Sequence, residues 1–460
     1  MIFSSPRKLI AGSSIFLLLC TGNVIAETLP PLPEGPLLLT SVTPEMLKVD
    51  YWISRLPNAN QVLKTPAELE QFNKEIDDMV AERVNVFELG YSKKGSAIKN
   101  QIQTEYDTVS NRKLFDVNDK YFPKSFFTEQ VKPVLGLDQI PEKITFKWAA
   151  ATKDTSVRAL PTKVKMLEEK GDIEFDQLQF TLIKLWTPVV IYHTSSDGAW
   201  HYVQAPYVRG WVRSSDIAIF ENREELKSQV KSSSYLVITG ESAGICEDSE
   251  CKARLQRASM GTVLPRIGKK GSYYEVLVPR RGAGGKVSLI KGYINKRHDV
   301  QTQFPAYTQA NFIRQAFKLL GARYGWGGMY AGRDCSGFTF DVFLSMGVNL
   351  PRDSQQQPEA GTQLGHFKPY EQTAEKNAAL EQATEGLTLI RMPLHIMLYL
   401  GEVNGKHYVI HSTWAERTGQ DPIKDEKRRI NQVVVSDLDL NGKSYMGSLF
   451  LRIIAITEAL

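Results

Sequence analysis

Cysteine and histidine are scarce in this chain, at four and seven of 460 residues. Cys246 and Cys251 have no second pair or histidine nearby, so a structural zinc site is disfavoured. Long hydrophobic runs are absent beyond the first 26 residues: nothing later approaches the ~20 apolar residues that a membrane-spanning helix needs. Charge of one sign is missing too. With 56 Lys and Arg against 51 Asp and Glu, the formal net charge is +5, which gives no argument for nucleic acid and only a weak one for anionic polymers. The hydrophobic content of 42% and charged content of 23% are those of a soluble globular protein. At 460 residues the chain exceeds one core, and roughly three or four domains are expected.

Arg7 and Lys8 precede an apolar run from Leu9 to Leu19, and Val24-Ile25-Ala26 supplies small-residue cleavage chemistry. Residues 1–26 are therefore expected to be an export signal, which makes the protein periplasmic or secreted. Cys20 follows Leu19, where lipoprotein processing needs a small side chain, so cleavage after Ala26 is favoured. Losing Arg7 and Lys8 lowers the formal charge from +5 by two, to +3. Three cysteines then remain. In an oxidising compartment Cys246 and Cys251 can close a local disulfide, leaving Cys335 as the odd thiol.

The chain divides by pattern. After a proline-rich leader (Pro30, Pro31, Pro33, Pro36), residues 27–140 are expected to be mostly helical. Thr65-Pro66-Ala67-Glu68 reads as a helix start, with Thr65 as cap, Pro66 at the first helical position and Glu68 completing a capping box. Residues 145–222 and 230–300 carry short β runs with a shared order: strand, polar turn, aromatic strand, longer loop, then glycine-aromatic-aliphatic, as in Gly210-Trp211-Val212 and Gly292-Tyr293-Ile294. Two small barrels are expected, with Trp200, Trp211 and Tyr293 read as core rather than ligand platforms. A helical signature returns at Asn311–Leu320.

Chemistry concentrates in residues 305–460. Arg333-Asp334-Cys335-Ser336-Gly337-Phe338 places a thiol where a turn becomes an apolar helix. There, unpaired N–H groups and the helix dipole favour thiolate and should lower its pKa. Met392 to Gly401 reads as a strand carrying His395, and after Asn404-Gly405 a second strand reaches His411. A thiol, an imidazole to take its proton and a polar group to orient that imidazole suit nucleophilic catalysis. His411 raises a difficulty. A two-residue turn at Asn404-Gly405 sets it opposite Leu398, on the face away from His395. A three-residue loop pairs it with Tyr399, ~13 Å along from His395 unless a bulge or strong twist intervenes.

Tyr324-Gly325-Trp326-Gly327-Gly328, Asp334-Cys335-Ser336-Gly337-Phe338, His395 opening a strand that ends Tyr399-Leu400-Gly401, and His411-Ser412 together resemble the NlpC/p60 cell-wall peptidases. The resemblance implies an α+β fold: a papain-like catalytic domain preceded by two SH3-like barrels and an N-terminal helical region. It also implies Cys335 as nucleophile, His395 as base and His411 as orienter, with no metal or other cofactor. The whole architecture resembles the branch that cleaves γ-D-glutamyl–L-diamino acid bonds, whose partners are peptidoglycan stem peptides or muropeptides. That branch implies substrate contacts at Tyr324, Asp334, Ser336 and Asp353, with Asp353 pairing a free L-alanyl ammonium. Read alone, Asp334 is equally a helix cap and Asp353 a surface-turn acid. An N-acetylmuramoyl-L-alanine amidase and an inert peptidoglycan-binding protein are the alternatives.

Overall fold

The computed structural model describes residue 32 and residues 34–460. The expected export segment, Cys20, and Pro30, Pro31 and Pro33 lie outside the described residues. Among those described, no helix is long and apolar enough to cross a membrane.

Thr65 caps the helix Pro66–Met79: its hydroxyl accepts the Glu68 N–H while the Glu68 side chain reaches back to the Thr65 N–H. Phe72 and Ile76, four residues apart, bury one stripe of this helix. That stripe packs into the same core as Phe312, Phe338, Phe343, Ile410 and Val434 from the C-terminal half. The Asn73 amide ties down the turn after the cysteine helix, donating to the Gly347 carbonyl and accepting the Asn349 N–H. The longer N-terminal helix, Gly95–Ser110, turns Ile98, Ile102, Tyr106 and Val109 into a different core, with Trp148, Tyr202 and Trp211. The N-terminal helical region is thus shared between two cores, a long-range outcome that local pattern does not encode.

Two seven-stranded antiparallel sheets follow, and their strands lie in one common order. In each, the third strand in sequence flanks the second, followed by the sixth, fifth, fourth, first and seventh. The repeat heard in the sequence is this topology: Pro188–Thr194, Trp200–Ala205 and Val208–Arg213 correspond to Val263–Lys270, Tyr273–Arg281 and Val287–Asn295. Glycine recurs at 210 and 292 because a Cβ there would fall 2.7 Å from the Arg158 carbonyl oxygen and 2.6 Å from an Ile245 methyl. Trp200 and Trp211 are buried, whereas Tyr293 is only partly so. Cys246 and Cys251 are joined in a disulfide, leaving Cys335 free.

The C-terminal half packs helices Gln309–Phe317 and Cys335–Ser345 against a six-stranded antiparallel sheet. From edge to edge that sheet runs Thr362–His366, Ala455–Glu458, Thr388–Met392, His395–Val403, Lys406–Arg417 and Lys427–Asp437. Ten of the eleven residues of Cys335–Ser345 are buried, so the helix runs through the core, with its polar side chains Ser336, Thr339, Asp341 and Ser345 buried too. The expected strand from Met392 is divided. Pro393 and Leu394 form a turn and the strand starts at His395, because proline has no N–H to give a ladder.

A buried ionic chain joins the barrels to this half. Lys184 of the first barrel pairs with Asp341 on the cysteine helix at 2.7 Å, and Arg333 pairs with the same carboxylate at 2.8 Å. Arg333 also donates to the Glu241 carbonyl of the second barrel at 3.2 Å. Although burial opposes it, Lys184 and Arg333 hold Asp341 below the usual carboxylate range.

Candidate active site

Asp334 is the N-cap of the cysteine helix: one carboxylate oxygen accepts the Gly337 N–H at 2.7 Å. Its other oxygen accepts the Gly327 N–H at 2.8 Å and the Arg352 guanidinium at 2.7 Å. The cap thereby fixes the Tyr324–Gly328 loop beside the thiol. Gly327, at φ 54°, lets that loop press on the first barrel, where Gln179 donates to its carbonyl at 2.9 Å.

Cys335 thus occupies the first turn of the helix, directly under the strand bearing His395. The Leu394 carbonyl lies 4.0 Å from its sulfur, and the Ile396 and Ser336 N–H groups also face the thiol. His395 sits between the two strand residues that touch the sulfur. Its Nε2 is 2.7 Å from His411 Nδ1, and His411 Nε2 is 3.1 Å from the Ser436 hydroxyl. The hairpin geometry explains how this works. Asn404-Gly405 is a two-residue turn between Val403 and Lys406, but the register slips between Tyr399 and Gly401. Leu400 is left over as a bulge, Leu398 faces Ile410, and His411 falls beside Met397 on the same face as His395.

The expectation that the helix start lowers the thiol pKa is overturned. Burial first, and the Asp334 carboxylate second, push Cys335 up to about 12, against the pull of the Ile396 and Ser336 N–H groups. Burial, with a smaller push from Arg452, takes His395 down to about 4. His411 is carried well below the usual histidine range by burial and by His395. Burial thus favours the neutral form of all three groups.

Tyr324 is buried beside this group, its hydroxyl pushed well above the tyrosine range by burial and then by Cys335 and Asp334. Ser336 accepts from Arg352 at 2.9 Å. Tyr324, Asp334 and Ser336 are therefore brought together around the cysteine. Asp353 is not brought into that network. It is exposed, and its carboxylate caps a local turn by accepting the Gln355 N–H at 2.8 Å. Its neighbour Arg352 is the residue that turns inward, bonded to Asp334, Ser336 and Thr181.

The first-barrel residues that reach the site were not readable from the strand pattern of the sequence; the structure shows the 172–175 loop beside Tyr324. The Phe175 ring stacks among Tyr324, Trp326 and Trp414, at 6.0, 5.5 and 5.5 Å. Glu174 is buried and accepts from the Trp414 indole at 2.9 Å, with Arg429 beside it. Asp172 is raised by burial and by Glu169, and its charge reaches Tyr324. Asp172, Glu174, Trp414 and Arg429 line a cavity of about 420 Å³. The available signal was the unusual acid-aromatic run Asp172-Ile173-Glu174-Phe175.

Comparison with known proteins agrees with this geometry. Residues 321–433 match the NlpC/P60 family model and residues 165–213 an SH3 domain of SH3b1 type. Residues 321–433 are thus similar to NlpC/P60 domains, and residues 165–213, ahead of them, to SH3 domains. It is 25% identical over 185 residues to a gamma-D-glutamyl-L-lysine dipeptidyl-peptidase of Bacillus cereus (strain ATCC 10987 / NRS 248), covering 40% of this chain and 51% of that protein. A Bacillus subtilis (strain 168) protein of the same name is 33% identical over 103 residues, 22% of this chain and 31% of that one. The match spans about half the length of the first of these curated relatives, and less of the second. The fold is shared over 94% of this chain and 98% of the NlpC/P60 endopeptidase from Photobacterium damselae subsp. piscicida, with a TM-score of 0.71 at 18% identity.

Proposed function

We propose that the protein is an exported cysteine endopeptidase of peptidoglycan, cleaving the γ-D-glutamyl–L-diamino acid bond of stem peptides with a free N-terminal L-Ala. The observation that carries this reading is the line from His395 through His411 to Ser436, assembled over the Cys335 thiol at the start of its helix. Cys335 attacks the γ-carbonyl while His395 takes its proton; because burial favours the neutral form of both, proton transfer accompanies attack. N–H groups of the first helical turn stabilise the oxyanion. His395 then protonates the leaving amine, and water resolves the thioacyl-enzyme. His411 holds the His395 tautomer. Tyr324, Asp334 and Ser336 line the acyl side.

The free amine expected at Asp353 is better matched by the first-barrel loop. Asp172 brings a carboxylate beside Tyr324, where an ammonium would find a countercharge, while Glu174 is already paired with Arg429. The names of the curated relatives support the choice of bond over that of an N-acetylmuramoyl-L-alanine amidase, and the assembled thiol and imidazoles disfavour an inert binding protein. Kinetics on L-Ala-γ-D-Glu-diaminopimelate or its lysine counterpart, against the same peptide still carrying N-acetylmuramic acid, test the reading. The free peptide should be cleaved at least about a hundredfold faster; comparable rates would describe a general sacculus hydrolase instead.

A further inference from the structure

Pro393 and Leu394 form the two-residue turn that joins Thr388–Met392 to His395–Val403, with Met392 opposite His395. Leu394 has φ 63°. After proline in such a turn this is a position for glycine or asparagine, because a Cβ is strained there. The strain is not offset by burial, since Leu394 is 87% exposed. A branched apolar side chain in a left-handed conformation, held out in water, costs the fold twice and returns nothing to it. Strain retained beside a reactive centre points to use in the reaction. The Leu394 carbonyl is the one 4.0 Å from the Cys335 sulfur.

The position assigns the use. The acyl side of the cleft is taken by Tyr324, Asp334, Ser336 and the first-barrel loop, while Leu394 directly precedes the imidazole that protonates the leaving amine. Its carbonyl touches the thiol while its side chain is exposed, so that side chain is free to meet a bound substrate beside this imidazole. An isobutyl group there gains only by covering apolar surface of what binds. The leaving residue of a diamino-acid substrate offers a methylene chain whose charged end can stay in water.

We propose that Leu394 is a specificity-determining residue, forming the apolar wall against which the methylene chain of the leaving diamino acid lies. This rests on the bond assigned above. The experiment compares wild type, Leu394→Gly and Leu394→Met on L-Ala-γ-D-Glu-L-Lys and on L-Ala-γ-D-Glu-L-Ala, which lacks the chain. Leu394→Gly keeps the carbonyl and relaxes the turn, so its melting temperature should hold or rise. Its kcat/KM on the lysine peptide should fall about tenfold, and that on the alanine peptide less than twofold. Leu394→Met, which keeps an apolar surface, should retain the preference for lysine. Equal effects of Leu394→Gly on both peptides, or none on either, would overturn the proposal while leaving the bond assignment intact. Failure of wild type to cleave either the lysine peptide or its diaminopimelate counterpart would overturn both.

Discussion

Replacing His411 with alanine tests the relay most directly. For His395 to receive the thiol proton on Nδ1, its own proton must sit on Nε2 and be donated to His411 Nδ1, 2.7 Å away. His411 then carries its proton on Nε2 and donates it to Ser436 at 3.1 Å. His411→Ala strands the His395 N–H, and a buried donor without a partner costs about 1–3 kcal/mol. At about 1.4 kcal/mol per decade that is roughly 5- to 150-fold in kcat/KM, with the nucleophile and its base still present. His411→Asn, whose amide oxygen can accept, should recover most of the loss. Ser436→Ala, which removes one neutral hydrogen bond, should cost about fivefold. Steady-state kcat/KM on L-Ala-γ-D-Glu-L-Lys, with melting curves to certify folding, reads all three. Activity of His411→Ala within twofold of wild type would refute the relay.

Cys335→Ala should abolish hydrolysis with a melting temperature close to wild type; turnover near wild type in the purified variant would remove the nucleophile from the mechanism. Arg352→Met should destabilise the protein by about 3 kcal/mol, since it leaves the buried Asp334 carboxylate without its cation. The double variant with Asp334→Asn should lose less than the sum, as read by urea midpoints. Stability should also fall on acidification. Burial takes His201 down to about 4, with smaller contributions from Arg281, Lys147 and His193. Between pH 6.5 and 4 the unfolded chain binds the proton that the folded one refuses, a penalty absent above that window and complete below it, at most about 3 kcal/mol. His201→Gln should flatten the pH dependence of the urea midpoint in that interval.

What was legible in the sequence was local. The Thr65 capping box, the Asp334 cap and the thiol at a helix start each depend on residues within one turn, and the barrel repeat shows because each strand carries its own alternation. His411 was harder, since its face depends on one extra residue in a strand. Gly401, at φ 119°, is the mark of the Leu400 bulge, and a glycine inside a strand pattern is the signal for one. Arg352 and Asp353 could not be told apart because adjacent residues of an irregular turn have no period to say which faces inward. The raised thiol pKa was hidden for another reason: helix-dipole chemistry is written locally, whereas burial is a property of the whole assembly and outweighs it here.

The ionic chain through Lys184, Asp341, Arg333 and Glu241 bears on inheritance. Its charges come from three folding units, and the segment it grips leads straight into Cys335. A recombination event that exchanged the first barrel for a foreign one would remove Lys184 and leave the buried Asp341 with one cation fewer beneath the catalytic helix. Residues 184, 333 and 341 therefore have to travel as a set, and position 241 joins them through its backbone carbonyl. In this lineage the first barrel and catalytic half should be lost, gained or duplicated together, and a variant at one of the three should be rescued only by change at another.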